Sequence, residues 1–193
     1  MKPKKKIFPI ILFSISMLTL LTTLAIISIQ EKNKSPLDLF LETYELDGMN
    51  LKSVIQTLEA VANEEEGFKA GITGSHLLLS DQDESYEIEL PAGEFYLSIA
   101  PYINQTHPCS NHNLVTCRGE MKSETFHVII TDLGTNEVVI DTNYQSTPQG
   151  FFGVWLKQNK NYEITINYNG MSATTQVVTS PESNTCLTTM QLA

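Results

Sequence analysis

The sequence predicts an α+β protein in which an N-terminal membrane helix and a small helical region precede an antiparallel β-sandwich-like domain. Three observations support this fold class: an uncharged apolar run over residues 7–29, an apolar period of 3.6 after residue 50, and a period of two after residue 67. A hydrophobic fraction of 41% in 193 residues is enough to build a core. We therefore divide the chain into residues 1–30, 31–66 and 67–193.

The N-terminal segment has the features of a membrane anchor. Its apolar run of residues 7–29 spans about 35 Å as a helix, enough for the hydrocarbon core of a bilayer. The lysines before it should stay in the cytoplasm, which places the rest of the chain outside. The run ends without an Ala-x-Ala pattern, so we favour an uncleaved anchor, with a cleaved export signal as the alternative. Both interpretations predict an extracytoplasmic protein.

Two short helices are predicted between residues 35 and 66. Ser35 and Pro36 are typical of an N-cap and a first helical position, and Asp38 lies in the first turn. Asn50 is the predicted cap of the second helix, whose apolar positions recur with helical spacing. These positions are Leu51, Val54, Ile55, Leu58 and Val61.

From Phe68 onward, short alternating segments separated by turn residues predict six to eight antiparallel strands. Asn169-Gly170 is a strong hairpin signal, because a type I′ turn requires positive φ at both central residues. We expect the Asp and Glu residues to be scattered at solvent-facing strand and helix positions. The segment from residue 67 to 193 is thus the predicted β-rich domain.

The charge distribution argues against nucleic acid as a partner. Four of the twelve basic residues precede residue 31, so residues 31–193 carry 8 basic and 22 acidic side chains, a net charge of −14. A surface of this sign repels phosphate backbones. It is compatible with cations.

One polar stretch, residues 107–117, contains two thiols and two imidazoles, and the third cysteine lies near the C-terminus. Thiolate and imidazole are donors for copper and zinc, so this stretch is a candidate metal or redox site. The candidate ligands are Cys109, Cys117, Cys186, His107 and His112.

The residues alone leave several alternatives open. A structural disulfide between Cys109 and Cys117 would leave Cys186 unpaired, whereas three cysteines that share one ion would suit Cu(I). An enzymatic alternative uses Cys109 and Cys117 as a redox pair, although they lack the close spacing of such pairs. A third interpretation is an adhesion or carbohydrate-binding sandwich. Common catalytic motifs are absent, so we expect no enzyme activity beyond thiol chemistry.

The site residues and their neighbours resemble the CueP family of copper-binding proteins of the bacterial cell envelope. The resemblance lies in residues 95–107, Cys109, His112, 116–117, 119–120, 150–151, 155–156 and 185–192. It implies that Cys109, Cys117 and Cys186 bind copper and that the protein is tied to copper resistance. It also implies Cu(II) reduction by thiols, contact with the thiol-disulfide machinery, and homodimer formation through the N-terminal part.

Together, these expectations describe an extracytoplasmic protein that sequesters Cu(I). Three thiolates, those of Cys109, Cys117 and Cys186, would hold the ion with His107 or His112 assisting. The alternative function is that of a thiol-disulfide or Cu(II)-reducing redox protein. Residues 67–193 would then form the metal-binding domain, tethered to the cell membrane by the N-terminal helix.

Overall fold

The computed structural model of the protein describes residues 34–60 and 67–193. These described residues fall into two compact units, residues 34–48 on the one hand and residues 49–60 with 67–193 on the other. The predicted membrane helix, residues 7–29, lies outside the described residues. Within the described ranges no helix is both long enough and apolar enough to cross a membrane. The anchor and the three-part domain division therefore stay predictions.

Both predicted helices are confirmed within the described residues, and Val61 of the predicted second helix lies outside them. Helix α1 (Pro36–Thr43) begins with a capping box, in which the Asp38 N–H donates to Ser35 Oγ at 3.2 Å and the Ser35 N–H donates to Asp38 Oδ2 at 2.9 Å. Helix α2 (Leu51–Ala60) begins after Asn50, whose Oδ1 accepts the Ser53 N–H at 3.0 Å. The buried face of α2 consists of Val54, Ile55, Leu58 and Glu59.

The described residues contain eleven strands in three sheets. The sheet orders are β3-β2-β1-β5, β10-β9-β6-β7 and β11-β4-β8. The strands are β1 (Lys69–Ile72), β2 (His76–Ser80), β3 (Ser85–Glu89), β4 (Glu94–Ile99), β5 (His112–Asn113), β6 (Thr125–Asp132), β7 (Glu137–Gln145), β8 (Phe152–Lys157), β9 (Asn161–Tyr168), β10 (Met171–Val178) and β11 (Cys186–Leu187).

The predicted α+β class and the mostly antiparallel pairing are confirmed. Asn169 and Gly170 have φ of 49° and 84°, as the hairpin between β9 and β10 requires. Three features differ from the prediction. The described residues contain eleven strands, not six to eight. The two-residue strands β5 and β11 are too short to show a periodic pattern, and β11 pairs with β4 in parallel, not antiparallel. These two short strands carry His112 and Cys186.

The main core lies between the sheets β10-β9-β6-β7 and β11-β4-β8. Alternate residues of β6 and β9 point inward, and they pack against apolar side chains of β4 and β8. Met121 and Met190 are buried in the same core. A smaller apolar cluster of Ala100, Phe151 and Cys186 continues from this core toward the other two cysteines.

Glu120 holds the loop that leads from β4 to the polar stretch. Its carboxylate accepts the backbone N–H groups of Ile103 at 2.7 Å, Asn104 at 2.9 Å and Gln105 at 3.2 Å. Hydrogen bonds from Asn104, Ile103 and Gln105 lower the pKa of Glu120 to about 2. The ionised form of Glu120 therefore stabilises this loop.

Three glycines permit close contacts beside the polar stretch. A Cβ on Gly119 would lie 2.4 Å from the Gly150 carbonyl oxygen, and Gly150 has a φ of +87°. A Cβ on Gly153 of β8 would overlap the phenol of Tyr96 on β4. By contrast, a Cβ on Gly71 of β1 would meet only the His112 carbonyl oxygen, at 3.8 Å.

We expect Gly119→Ala and Gly153→Ala each to lower the free energy of unfolding by about 1–3 kcal/mol, because each new methyl group forces packed atoms apart. Gly71→Ala is the matched control, and it should change stability by less than about 0.5 kcal/mol. Urea denaturation monitored by circular dichroism measures all three variants. Equal stability of the Gly119→Ala and Gly71→Ala proteins would contradict the close approach to Gly150.

We expect Glu120→Gln to destabilise the protein at neutral pH and to have little effect near pH 2. A carboxylate whose folded-state pKa lies below its ordinary value of 4.5 stabilises the fold above that value, and this contribution is lost as pH falls toward about 2. Because Glu120 is exposed, solvent screening keeps the effect small. Urea midpoints of parent and variant should converge on acidification, whereas those of an exposed control, Glu182→Gln, should match the parent throughout. A gap that persists at pH 2 would refute this role.

Candidate metal centre

Four candidate ligands converge at one place in the fold. One donor atom from each of Cys109, His112, Cys117 and Cys186 lies within 4.8 Å of the other three. Cys186 and His112 are buried, whereas Cys109 and Cys117 are half-buried. Three sulfurs and one imidazole nitrogen are a donor set for a soft or borderline metal ion.

Cys186 reaches the site because β11 adds to the edge of β4. Cys186 pairs with Ser98 in parallel register. The carbonyl oxygen of Ser110 accepts the N–H groups of Thr185 at 3.0 Å and Cys186 at 3.1 Å. These bonds bring the C-terminal segment against the loop that carries Cys109.

His112 is fixed by its own short strand. In β5, His112 pairs with Ile72 of β1. Its N–H donates to Thr185 Oγ1 at 3.0 Å, and the same hydroxyl donates to the Ile72 carbonyl oxygen at 2.6 Å. The imidazole packs on Phe151, with ring centroids 4.5 Å apart. Backbone and ring are therefore both held in place.

Cys117 lies in the turn that follows β5. Asn113 organises this turn, since its Oδ1 accepts the Val115 N–H at 3.0 Å and the Thr116 N–H at 2.8 Å. The Cys117 N–H donates to the Asn113 carbonyl oxygen at 3.2 Å. The turn thus points the Cys117 thiol back toward the site.

The cysteines pair differently from the disulfide considered on spacing alone. Cys109 is disulfide-bonded to Cys186, with Cα atoms 5.7 Å apart, and Cys117 is the free cysteine. The pairing of Cys109 with Cys117 is wrong because β11 places Cys186 beside Cys109. The Cys117 sulfur still lies 3.7 Å from the Cys109 sulfur. All three sulfurs therefore share one site.

His112 and Cys117 influence each other's protonation. Burial lowers the pKa of His112, but its contacts with Cys117 and Glu59 outweigh burial and leave it raised. Burial likewise raises the pKa of the Cys117 thiol, but the hydrogen bond and charge of His112 leave it lowered. The lowered pKa makes the Cys117 thiol easier to deprotonate, and the thiolate is the form of sulfur that binds metals.

Glu59 is a site residue that the sequence analysis missed. It is only 4% exposed, which contradicts the expectation that the acidic residues face solvent. Its Oε1 lies 3.3 Å from His112 Nε2, and its Oε2 accepts the Tyr96 hydroxyl at 2.5 Å. The available signal was its position four residues after Ile55, on the same side of the helix as the apolar stripe.

His107 does not join the cluster of donors found in the described residues. It is half-buried, and its ring centroid lies 6.4 Å from that of Phe151. It borders a shallow surface cavity together with Thr106, Arg118 and Glu120. Its predicted role as a ligand stays a prediction.

Comparison with known proteins finds a matching family model and a similar solved structure. The family model described as periplasmic copper-binding protein CueP matches residues 53–191. The crystal structure of S.CueP is similar to this chain with a TM-score of 0.78 and 37% sequence identity, over 83% of this chain and 99% of the solved chain. No curated protein matches the chain.

The matched region contains helix α2 from Ser53 onward and all four clustered candidate ligands. Most of the chain therefore agrees both with the family model and with a solved structure. The chain belongs to the CueP family of periplasmic copper-binding proteins.

Proposed function

We propose that this protein binds Cu(I) as its cargo outside the cytoplasm and contributes to copper resistance. The ligands in this proposal are the thiolates of Cys109, Cys117 and Cys186, with His112 as a fourth donor. The observation that carries the proposal is the convergence of these four donor atoms within 4.8 Å. Soft sulfur ligands select Cu(I), and imidazole is also a copper donor.

Reduction of the disulfide precedes this mode of binding. The Cys109–Cys186 bond takes up two electrons and releases two thiolates, which join the free thiol of Cys117. The family description places such proteins in the periplasm, an oxidising compartment. An extracytoplasmic thiol-disulfide exchange partner is the class of protein that would supply the electrons.

A second candidate function is the reduction of Cu(II). Oxidation of two thiolates to the Cys109–Cys186 disulfide would release two electrons and convert two Cu(II) ions to Cu(I). The arrangement that favours it is this disulfide with a third sulfur, that of Cys117, 3.7 Å from Cys109. The redox pair would then be Cys109 and Cys186, instead of the Cys109 and Cys117 pair expected from the sequence.

Two further parts of the proposal concern membrane attachment and homodimer formation. Residues 7–29 would anchor the protein in the membrane, with a cleaved signal as the alternative. Homodimer formation through the N-terminal part follows only from the family resemblance. Neither is needed for the metal site, because all four clustered donors lie between Cys109 and Cys186.

Mutating a residue that only hydrogen-bonds to a metal ligand typically weakens metal binding by roughly 10–100-fold. Each single Cys→Ser substitution removes a ligand itself, so we expect it to weaken Cu(I) binding by more than this. The measurement is an anaerobic titration of the reduced protein against a competing Cu(I) chelator, with alkylation of thiols before and after. In the parent, copper should protect all three thiols. Ser110→Ala is the control, because this exposed side chain neighbours Cys109. Parent-like affinity of the triple serine variant would refute the proposal.

Substituting each histidine of the polar stretch in turn tests which of the two imidazoles binds Cu(I). We expect His112→Gln to weaken Cu(I) binding by at least about tenfold, as loss of a ligand requires. His107→Gln should bind like the parent, as should His127→Gln, a control on an exposed position of β6. The same chelator titration measures all three variants. If His107→Gln bound Cu(I) as weakly as His112→Gln, the ligand set would have to include His107.

A further inference from the structure

Helix α2 contributes a buried acidic side chain directly behind the candidate metal site. The Glu59 carboxylate accepts hydrogen bonds from the hydroxyl groups of Tyr96 and Ser98, both on β4. Its Oε1 also lies 3.3 Å from His112 Nε2, and both side chains are at least 95% buried. Glu59 therefore contacts two hydroxyl groups and the imidazole of His112, one of the four clustered donors.

Such a carboxylate is costly to bury, so its partners in the structure matter. A buried charge is tolerated only where hydrogen bonds or an opposite charge compensate it. Here two hydroxyl groups and one imidazole N–H supply that compensation. Burial and the nearby Glu59 raise the pKa of Tyr96 well above its ordinary value, so the phenol stays protonated and donates.

The two ring nitrogens of His112 face different groups. Nε2 faces Glu59 at 3.3 Å, whereas Nδ1 lies 3.5 Å from the sulfur of Cys186. A neutral imidazole has one N–H donor and one acceptor nitrogen. The imidazolium carries protons on both nitrogens. When a metal ion replaces the proton that faces the sulfurs, the carboxylate of Glu59, which accepts but does not donate, keeps the other proton on Nε2, and the lone pair of Nδ1 is then free for the metal.

We propose that Glu59 is a positioning residue that holds the Nε2–H tautomer of His112 and thereby presents Nδ1 to the metal. This inference rests on the proposed function, because the metal it serves is the Cu(I) held by the three thiolates. Glu59 would not touch the ion. It accepts the Nε2–H of His112 and so fixes the orientation of the ring, as carboxylates commonly do for metal-binding histidines.

The first test reads the tautomer in the parent protein and needs no variant. Nitrogen-15 NMR of the reduced, metal-free protein at alkaline pH, where the imidazole is neutral, should find the His112 proton on Nε2. After addition of Cu(I), the Nδ1 resonance should shift while Nε2 keeps its proton. A proton on Nδ1 in the metal-free parent, or loss of the Nε2 proton on addition of copper, would overturn the inference.

The second test removes the carboxylate. Glu59→Ala should weaken Cu(I) binding by about 10–100-fold in the chelator titration. The proton of its neutral His112 should also no longer be confined to Nε2. Glu59→Gln keeps the shape and one acceptor oxygen, so its loss should be smaller. Glu87→Ala, an exposed change on β3, is the control and should leave both readouts at the parent values.

The outcomes separate this inference from the proposed function. If the cysteine variants lose Cu(I) binding but folded Glu59→Ala and Glu59→Gln bind as the parent does, Glu59 has no positioning role and the thiol site stands. If instead the cysteine variants bind as the parent does, the proposed function fails. The tautomer measurement on the metal-free parent still decides whether Glu59 orients His112. Circular dichroism checks that each variant is folded.

Discussion

The hydroxyl of Thr185 ties together the segments on which the candidate site depends. It accepts the N–H of His112, 73 residues earlier, and donates to the carbonyl oxygen of Ile72, 113 residues earlier. Thr185 is fully buried, so these bonds do not compete with water. With the Ser110 carbonyl, they dock the C-terminal segment beside β5. The cluster of donors therefore exists only when the whole domain has folded.

The site is built from segments that are far apart in sequence, and this explains why only some of its features could be predicted. The residue types and the dense spacing of residues 107–117 pointed to thiol and imidazole chemistry, and the periodic segments predicted the larger strands. The pairing of Cys109 with Cys186 was not predictable from spacing, because it follows from β11 joining β4 in parallel. A strand of two residues has too few positions to show alternation. Sequence proximity thus favoured Cys117 as the partner of Cys109.

Glu59 illustrates a different limit of reasoning from the sequence. Helical spacing places it beside Ile55 on the buried side of α2, but a carboxylate on an otherwise apolar face is ordinarily assigned to solvent. The structure explains its burial, because Tyr96, Ser98 and His112 supply hydrogen-bond donors to the carboxylate. None of these partners is close to it in sequence. A buried charge is specified by its tertiary neighbours, which periodicity alone does not reveal.

The distribution of burial across the site favours a cargo site over a structural one. A structural metal site is typically closed, and the fold depends on its ion. Here the main core of β4, β6, β8 and β9 is built from apolar side chains without the cysteines. The inner donors, His112 and Cys186, are held by strands, whereas Cys109 and Cys117 lie half-buried in loops. For the proposed Cu(I) cargo, this distribution combines two inner donors that are held by strands with two outer sulfurs that an entering or leaving ion can reach more easily.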